Sequence, residues 1–143
     1  MKPIVWTPAL SMGDPEVDRQ HRHFIDQVNE LSAAASHADK RALVRLTEEI
    51  AADAFTHFAY EDDLLLRLNY PDAEEHSAEH RRLEEKIEGM LPVLATADDT
   101  PRAAETIACR IRDLLLDHLL YYDLKYKSLL DYKKQLGIFA PSA

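Results

Sequence analysis

The chain has 143 residues and carries 17 Lys and Arg against 26 Asp and Glu, a formal net charge of −9. A surface this acidic argues against nucleic acid or an anionic membrane as a partner. The single cysteine, Cys109, excludes an intramolecular disulfide framework and a cysteine-based zinc site, and the absence of long apolar runs favours a cytoplasmic protein without a membrane span.

The first residues predict an irregular arm that precedes an all-helical chain with only 3 glycines. We place the arm at residues 1–17 and expect Trp6 to anchor it on the outside of the helices. Either Asp14-Pro15 or Asp18 opens the first helix, because Asp is favoured at the N-cap and Pro at the first helical position. The helical region then extends over residues 18–136.

The next two helices have recognisable ends. Asp39 can cap the second helix, and the turn at residues 69–71 stops it. Asp72 and Glu75 form a capping-box-like start to the third helix. Pro92 is expected to end or kink that helix, because proline lacks the backbone N–H that a helix interior requires.

The last helices begin at Thr100-Pro101 and at Asp123, with Gly137 as a plausible C-cap of the final segment. Apolar residues recur at the three-and-four spacing of one helical face throughout. Short loops joining four helices of similar length predict an all-α, up-down-up-down antiparallel four-helix bundle. The N-terminal arm and a short C-terminal helix complete a single domain over residues 1–143.

Potential metal ligands lie on or beside the apolar stripes of all four helices. An ionised carboxylate buried without a partner is strongly unfavourable, and pairing or a metal ion is the usual solution. The spacing favours a metal. The seven residues are His21, His57, Glu61, His76, His80, His118 and Asp123.

The spacing of these residues explains how they can converge. Residues four apart on an α-helix differ in direction by only roughly 40°. His118 and Asp123 are five apart, which separates them by roughly 140° on a regular helix. For both to reach one site, the backbone between them must form a π-bulge or a break. The pairs with the favourable spacing of four are His57 with Glu61 and His76 with His80.

The size of the ligand set predicts two metal ions. One ion cannot use seven such side chains at ordinary coordination numbers, whereas two octahedral ions offer twelve positions. Five histidines, two carboxylates that each bridge both ions and one bridging oxygen would leave a single position open. This count assumes that the carboxylates bridge. If they do, the vacancy suits a small ligand.

The order of these residues resembles a hemerythrin, specifically the single-domain bacteriohemerythrin type, over essentially the whole chain. Departures from the family pattern occur at Asp53 and Leu114, where aromatic residues are often found. The matching residues are Trp6, Gly13, Asp18-Arg19-Gln20-His21, Asn29-Glu30-Leu31, His57-Phe58-Ala59-Tyr60-Glu61, Tyr70-Pro71, His76, His80, His118, Asp123 and Tyr126.

The resemblance implies reversible dioxygen binding at an oxo- or hydroxo-bridged centre of two iron ions per chain. The open position would lie on the iron with two histidines, where small anions such as azide would also bind. Leu115 and Leu119 would form apolar walls of the oxygen pocket. The family implies that three histidines (His76, His80, His118) hold one iron, that two (His21, His57) hold the other, and that Glu61 and Asp123 bridge.

Other residues have simpler interpretations. His23 is two residues from His21 and points away from its face, and His37 falls between the first two helices, so we expect both to be exposed. Cys109 lies off the apolar stripe and is expected to be a small packing residue. Neither histidine is a candidate ligand.

Two other kinds of metal site fit the sequence less well. His76-Ser77-Ala78-Glu79-His80 matches the H-x-x-E-H motif of inverted zinc peptidases. A zinc site of that kind would leave four other polar residues buried without purpose, and Glu79 is better placed on the flank of its helix. A ferritin-like centre needs paired Glu-x-x-His motifs, and none of the five core histidines has a glutamate three residues before it.

Two classes of function remain open on sequence grounds. The first is a binding protein that carries, stores or senses dioxygen, and a separate oxygen-using enzyme is then a candidate partner. The second is an enzyme that consumes oxygen, peroxide or nitric oxide, or a protein that handles iron itself. A centre rich in histidine and poor in carboxylate favours reversible binding, because fewer anionic donors stabilise high-valent iron less, and we predict no enzymatic activity.

Overall fold

The computed structural model describes residues 2–139, and over this range the chain is helical with no β-strand. Loops of three to five residues join the first four helices, so neighbouring helices run antiparallel. The predicted all-α four-helix bundle is confirmed. The elements are α1 Pro15–Ser36, α2 Lys40–Arg67, α3 Ala73–Thr96, α4 Pro101–His118, a π-helical segment Leu119–Asp123 and α5 Leu124–Gln135.

The N-terminal arm ends earlier than predicted. Asp14 is the N-cap of α1, and its side chain accepts a hydrogen bond from the Glu16 backbone N–H. The helix therefore begins at Pro15, which confirms the first of the two predicted starts and shortens the arm that we placed at residues 1–17. Asp14 is fully buried and also accepts a hydrogen bond of 2.9 Å from the Tyr60 hydroxyl, which ties the start of α1 to α2.

The predicted caps of α2, α4 and α5 are present, but the capping box of α3 does not form. Asp39 accepts from the Ala42 N–H and Thr100 from the Ala103 N–H, and Gly137 follows α5 with a φ of +69°. Asp72 occupies the N-cap position of α3 without a side-chain cap bond. The Glu75 carboxylate instead forms an ion pair with Arg82, at 2.8 Å on the same helix. Glu75 therefore does not turn back to the N-cap backbone as a capping box requires.

Pro92 does not end α3, contrary to one of the two outcomes that we predicted for it. The helix continues past Pro92 to Thr96. The missing N–H of Pro92 leaves the carbonyl of Glu88 without its usual helical partner. Glu88 is exposed, so water can satisfy that carbonyl, and the helix tolerates the proline on its outer face.

The core divides along the bundle axis, and the polar cluster lies between two of its apolar layers. Phe24, Phe58 and Leu83 belong to the middle layer. The layer at one end contains Met12, Leu64 and Tyr126, so α5 and the residues just before α1 close that end of the bundle. Within the described residues, no helix is both long and apolar enough to cross a membrane.

Candidate metal centre

All seven candidate ligands lie together inside the bundle, and none is more than 5 % exposed. Their donor atoms form two groups, in each of which all atoms lie within 4.8 Å of one another. Glu61 and Asp123 belong to both groups. The first group adds His76, His80 and His118, and the second adds His21 and His57.

The backbone between His118 and Asp123 leaves α-helical geometry, as the five-residue spacing predicted. Residues Leu119–Asp123 form a π-helix, in which hydrogen bonds connect residues five apart. Such residues share one face, so His118 and Asp123 both point inward. Because His118 and Asp123 both point inward, Tyr121 between them points outward, and 66 % of its surface is exposed.

The two shared carboxylates each turn one oxygen toward each group of histidines. Oε1 of Glu61 is 2.7 Å from His76 Nε2 and 3.1 Å from His80 Nε2, whereas Oε2 is 3.7 Å from His57 Nε2. For Asp123, Oδ1 lies 2.9 Å from His118 Nε2 and Oδ2 lies 3.1 Å from His21 Nε2. This is the arrangement that a carboxylate needs in order to bridge two metal ions.

The distances between donor atoms are compatible with ligation of a common metal ion. The Nε2 atoms of His21 and His57 are 3.3 Å apart, and those of His80 and His118 are 3.1 Å apart. Imidazole nitrogen lies about 2.1 Å from a first-row ion such as zinc, so two such ligands at right angles are about 3 Å apart. Among residues 2–139, both buried oxygens of Asp123 lack a partner in hydrogen-bond geometry.

Comparison with known proteins identifies the family. The model of the hemerythrin HHE cation binding domain matches residues 12–130, which is most of the chain. The chain belongs to the hemerythrin family. This hemerythrin also shares its fold with a solved structure of a hemerythrin variant, at a TM-score of 0.77 and 21 % identity, over 90 % of this chain and 98 % of that one.

Two relatives illustrate how far the similarity extends. A bacteriohemerythrin from Stenotrophomonas maltophilia is 30 % identical over 77 residues, which are 54 % of this hemerythrin and 50 % of that protein. The matched region thus spans about half the length of this bacterial relative. A hemerythrin-like protein from Naegleria gruberi is 27 % identical over 128 residues, which are 90 % of this chain and 94 % of that one.

Three residues that sequence reasoning did not assign to the site hold its ligands in place. Gln20 Oε1 lies 2.6 Å from His57 Nδ1, and Asp62 Oδ1 lies 2.7 Å from His80 Nδ1. An acceptor at Nδ1 places the proton there and leaves Nε2 free to bind a metal. The Tyr126 hydroxyl donates to Glu61 Oε2 at 2.9 Å and orients that carboxylate.

A weak signal for these positions existed in the sequence. Gln20 and Asp62 each lie next to an inward ligand, one residue off the stripe, where a side chain faces a neighbouring helix rather than the core. Helix periodicity predicts that Gln20 and Asp62 lie at the edge of the inward face. It does not predict which histidine ring of the neighbouring helix each of them contacts. Tyr126 matched the family pattern, but its role could not be inferred without the position of Glu61.

An apolar cavity of about 30 Å³ borders the cluster. A single water molecule needs roughly 10–15 Å³ measured in this way, so a diatomic ligand has enough space. Leu115 and Leu119, expected from the resemblance to form pocket walls, both line the cavity. His21, His57 and Asp123 border it as well, and of the three-histidine group only His118 does, whereas His76 and His80 do not.

The residues given simpler interpretations lie away from the ligand groups. His23 and His37 are exposed, and His23 pairs with Asp53 at 2.9 Å. Cys109 is half-buried. Glu79, the glutamate of the peptidase-like motif, pairs with Arg82 at 2.8 Å and belongs to neither ligand group. The position of Glu79 therefore gives no support to the zinc-peptidase alternative.

The buried charges of the metal-free cluster balance one another. Burial alone would raise the pKa of Glu61 and of Asp123, but the surrounding imidazoles hold both pKa values below the ordinary range. Burial lowers the pKa of His57 to about 4. Burial also opposes protonation of His76 and His118, yet contacts with the two carboxylates outweigh it and raise their pKa values to about 9 and about 10.

Metal uptake should therefore release protons. At pH 7 His76 and His118 carry protons in the metal-free protein, and both must lose them to bind a metal. We expect at least two protons to be released per chain, so the apparent affinity for ferrous iron should rise about a hundredfold per pH unit between pH 6 and 8. Anaerobic titration calorimetry in buffers of different ionisation enthalpy measures this release. An affinity independent of pH would contradict it.

Proposed function

We propose that this hemerythrin binds dioxygen reversibly at a centre of two iron ions. His76, His80 and His118 would hold one iron, and His21 and His57 would hold the other. Glu61 and Asp123 would bind both. The iron with two histidine ligands would keep one coordination position free for a small ligand, and the proposed role is that of an oxygen carrier, store or sensor.

The observation that carries this proposal is the pair of shared carboxylates. Each directs one oxygen to each histidine group, which supports a site for two ions rather than one. The unequal number of histidines supports a difference between the two ions. The apolar cavity borders both residues of the two-histidine group, where the free position would be.

The chain's own residues would support reversibility by excluding water and fixing the ligands. Two iron ions would supply the electrons that dioxygen takes up on binding and returns on release. Leu115 and Leu119 would keep the cavity apolar, which slows the loss of a reduced oxygen species to solvent. Gln20 and Asp62 would hold the rings of His57 and His80 in the tautomer that ligation needs.

Iron content and anion binding test the proposal together. After anaerobic loading, elemental analysis should give two irons per chain, and the oxidised protein should bind one azide per chain, at the ion with two histidines. Replacing Gln20 with alanine should perturb the azide-sensitive iron, whereas replacing Asp62 should perturb the other, as resolved by Mössbauer spectroscopy. One metal per chain, or zinc as the only metal acquired during iron-replete growth, would contradict the proposal.

Oxygen consumption distinguishes a binding protein from an enzyme at the same centre. With a reductant present, a binding protein should take up about one dioxygen per chain and then stop. Sustained consumption of oxygen, peroxide or nitric oxide over many equivalents would instead support the enzymatic alternative. An oxygen electrode, or its nitric oxide counterpart, makes this measurement directly.

A further inference from the structure

The cavity beside the metal cluster continues as a narrow slot toward the surface, between α1 and α4. Its walls come from α1 positions such as His21 and Val28 and from α4 positions such as Arg112 and Leu116. Val28 is seven residues from His21, so the slot extends about 10 Å along the helices. The α1 residues that line the slot are buried, whereas Arg112, Leu115 and Leu116 on α4 are half-buried. The slot is therefore closest to the surface along its α4 side.

One lining residue does not belong to any helix. Ile4, in the N-terminal arm, contributes its side chain to the outer part of the slot and is half-buried there. Because the arm lies on the outside of the bundle, Ile4 covers the seam between α1 and α4. The neighbouring Val5 is 73 % exposed and does not line the slot, so the arm presents only one of these two side chains to it.

The side chain of Asn29 on α1 holds Ile4 in this position, because it bonds to both the backbone N–H and the backbone carbonyl of Ile4. The Ile4 N–H donates to Asn29 Oδ1 at 2.9 Å, and Asn29 Nδ2 donates to the Ile4 carbonyl at 2.9 Å. Trp6, two residues after Ile4 in the arm, provides a second anchor. The guanidinium of Arg22 on α1 lies 4.7 Å from the centre of the Trp6 ring. Both anchors are on α1, so these contacts fasten the arm to the α1 side of the slot.

We propose that the Ile4 side chain is a gate that covers the way to the metal cluster, and that Asn29 is the latch that holds this gate closed. Together they determine which sizes of small ligand enter and how fast they do so. This inference rests on the proposed function, because the ligands concerned are those of the two-iron centre. A side chain at the opening contacts the ligand only in passing. Its removal therefore changes association and dissociation rates by the same factor and leaves the dissociation constant unchanged.

Two substitutions separate the gate from the latch. Ile4→Ala removes the covering side chain but keeps the hydrogen bonds, which use only the backbone of Ile4. Asn29→Ala removes those bonds but keeps the side chain. Val5→Ala is the matched control, because Val5 is adjacent and points to solvent. Equal unfolding temperatures would establish that all three variants keep the fold.

Stopped-flow mixing of the iron-loaded proteins with azide and with thiocyanate tests the gate. We expect both rate constants to rise about fivefold or more in Ile4→Ala and Asn29→Ala, with an unchanged dissociation constant and a larger factor for the bulkier thiocyanate. Val5→Ala should match the parent. Rates in Ile4→Ala equal to those of the parent, or a change confined to the dissociation constant, would overturn the gate.

The single tryptophan of the chain gives a second measurement that needs no metal. Acrylamide should quench Trp6 fluorescence more strongly in metal-free Asn29→Ala than in the parent, while Ile4→Ala should resemble the parent. Equal quenching in all variants would overturn the latch. A parent protein that takes up two irons but binds neither azide nor dioxygen would overturn the proposed function, whereas azide rates insensitive to Ile4 would overturn the gate alone.

Discussion

Replacing Glu61 with alanine should abolish binding of both metal ions at once, because Glu61 is shared by both ligand groups. The metal-free protein should also lose stability. Glu61 is fully buried and faces the rings of His76 and His80, and its removal leaves a buried imidazolium with one fewer counter-charge. Loss of one member of a buried ion pair costs about 3–5 kcal/mol.

Iron analysis and thermal unfolding measure the two effects of Glu61→Ala separately. A loss of this size should lower the unfolding temperature by about 10 °C. Asp63→Ala is the matched control, since Asp63 lies on the same helix but its side chain is 70 % exposed and pairs with Arg67 on the surface. A Glu61→Ala variant that retained both irons and bound oxygen at the original rate would show that Glu61 is not a bridge.

Replacing Leu115 with asparagine should accelerate spontaneous oxidation of the reduced, oxygen-loaded protein by about tenfold or more. Leu115 lines the cavity, and a polar side chain there would admit and hold water beside the cluster. A tenfold change corresponds to about 1.4 kcal/mol of activation free energy. Iron content should stay at the parent level, because Leu115 belongs to neither ligand group.

Leu115→Met controls for side-chain shape in this experiment. Methionine conserves volume and apolar character, so this variant should oxidise at close to the parent rate. The rates are followed optically in air after anaerobic loading. If Leu115→Asn and Leu115→Met oxidised equally fast, the apolar wall would not be what protects the reduced form.

Helix periodicity was sufficient to predict which potential ligands of one helix share its inward face. The spacing of four in His57 and Glu61 places two donors on one face whatever the surroundings. The spacing of five in His118 and Asp123 allowed only an irregular helix, and the structure contains a π-helix there. These inferences depend on geometry within one helix, which sequence alone determines.

Features that depend on contacts between helices could not be predicted in the same way. Asp62 meets His80 across the α2–α3 interface, and Gln20 meets His57 across the α1–α2 interface. Asp53, a departure from the family pattern, joins α2 to α1 through a 2.7 Å bond from Gln27. Local propensity carries no information on such pairings, because each depends on the rotation of one helix against another.

The end of α3 is a case in which contacts in the folded protein outweigh a strong local preference of the sequence. Proline in a helix interior normally ends it, yet α3 continues through Pro92. Leu94, beyond the proline, is buried in the core layer with Leu31 and Leu43. Apolar contacts made by this last turn offset the lost backbone hydrogen bond.

Reversible oxygen binding is tested most directly by optical cycling. The metal-free protein is loaded anaerobically with two equivalents of ferrous iron, then alternately exposed to oxygen and purged with argon while the visible spectrum is recorded. We predict an absorption band that appears with oxygen, vanishes on purging and keeps its amplitude over repeated cycles. A spectrum that changes once and does not return on removal of oxygen would contradict reversible binding by this chain.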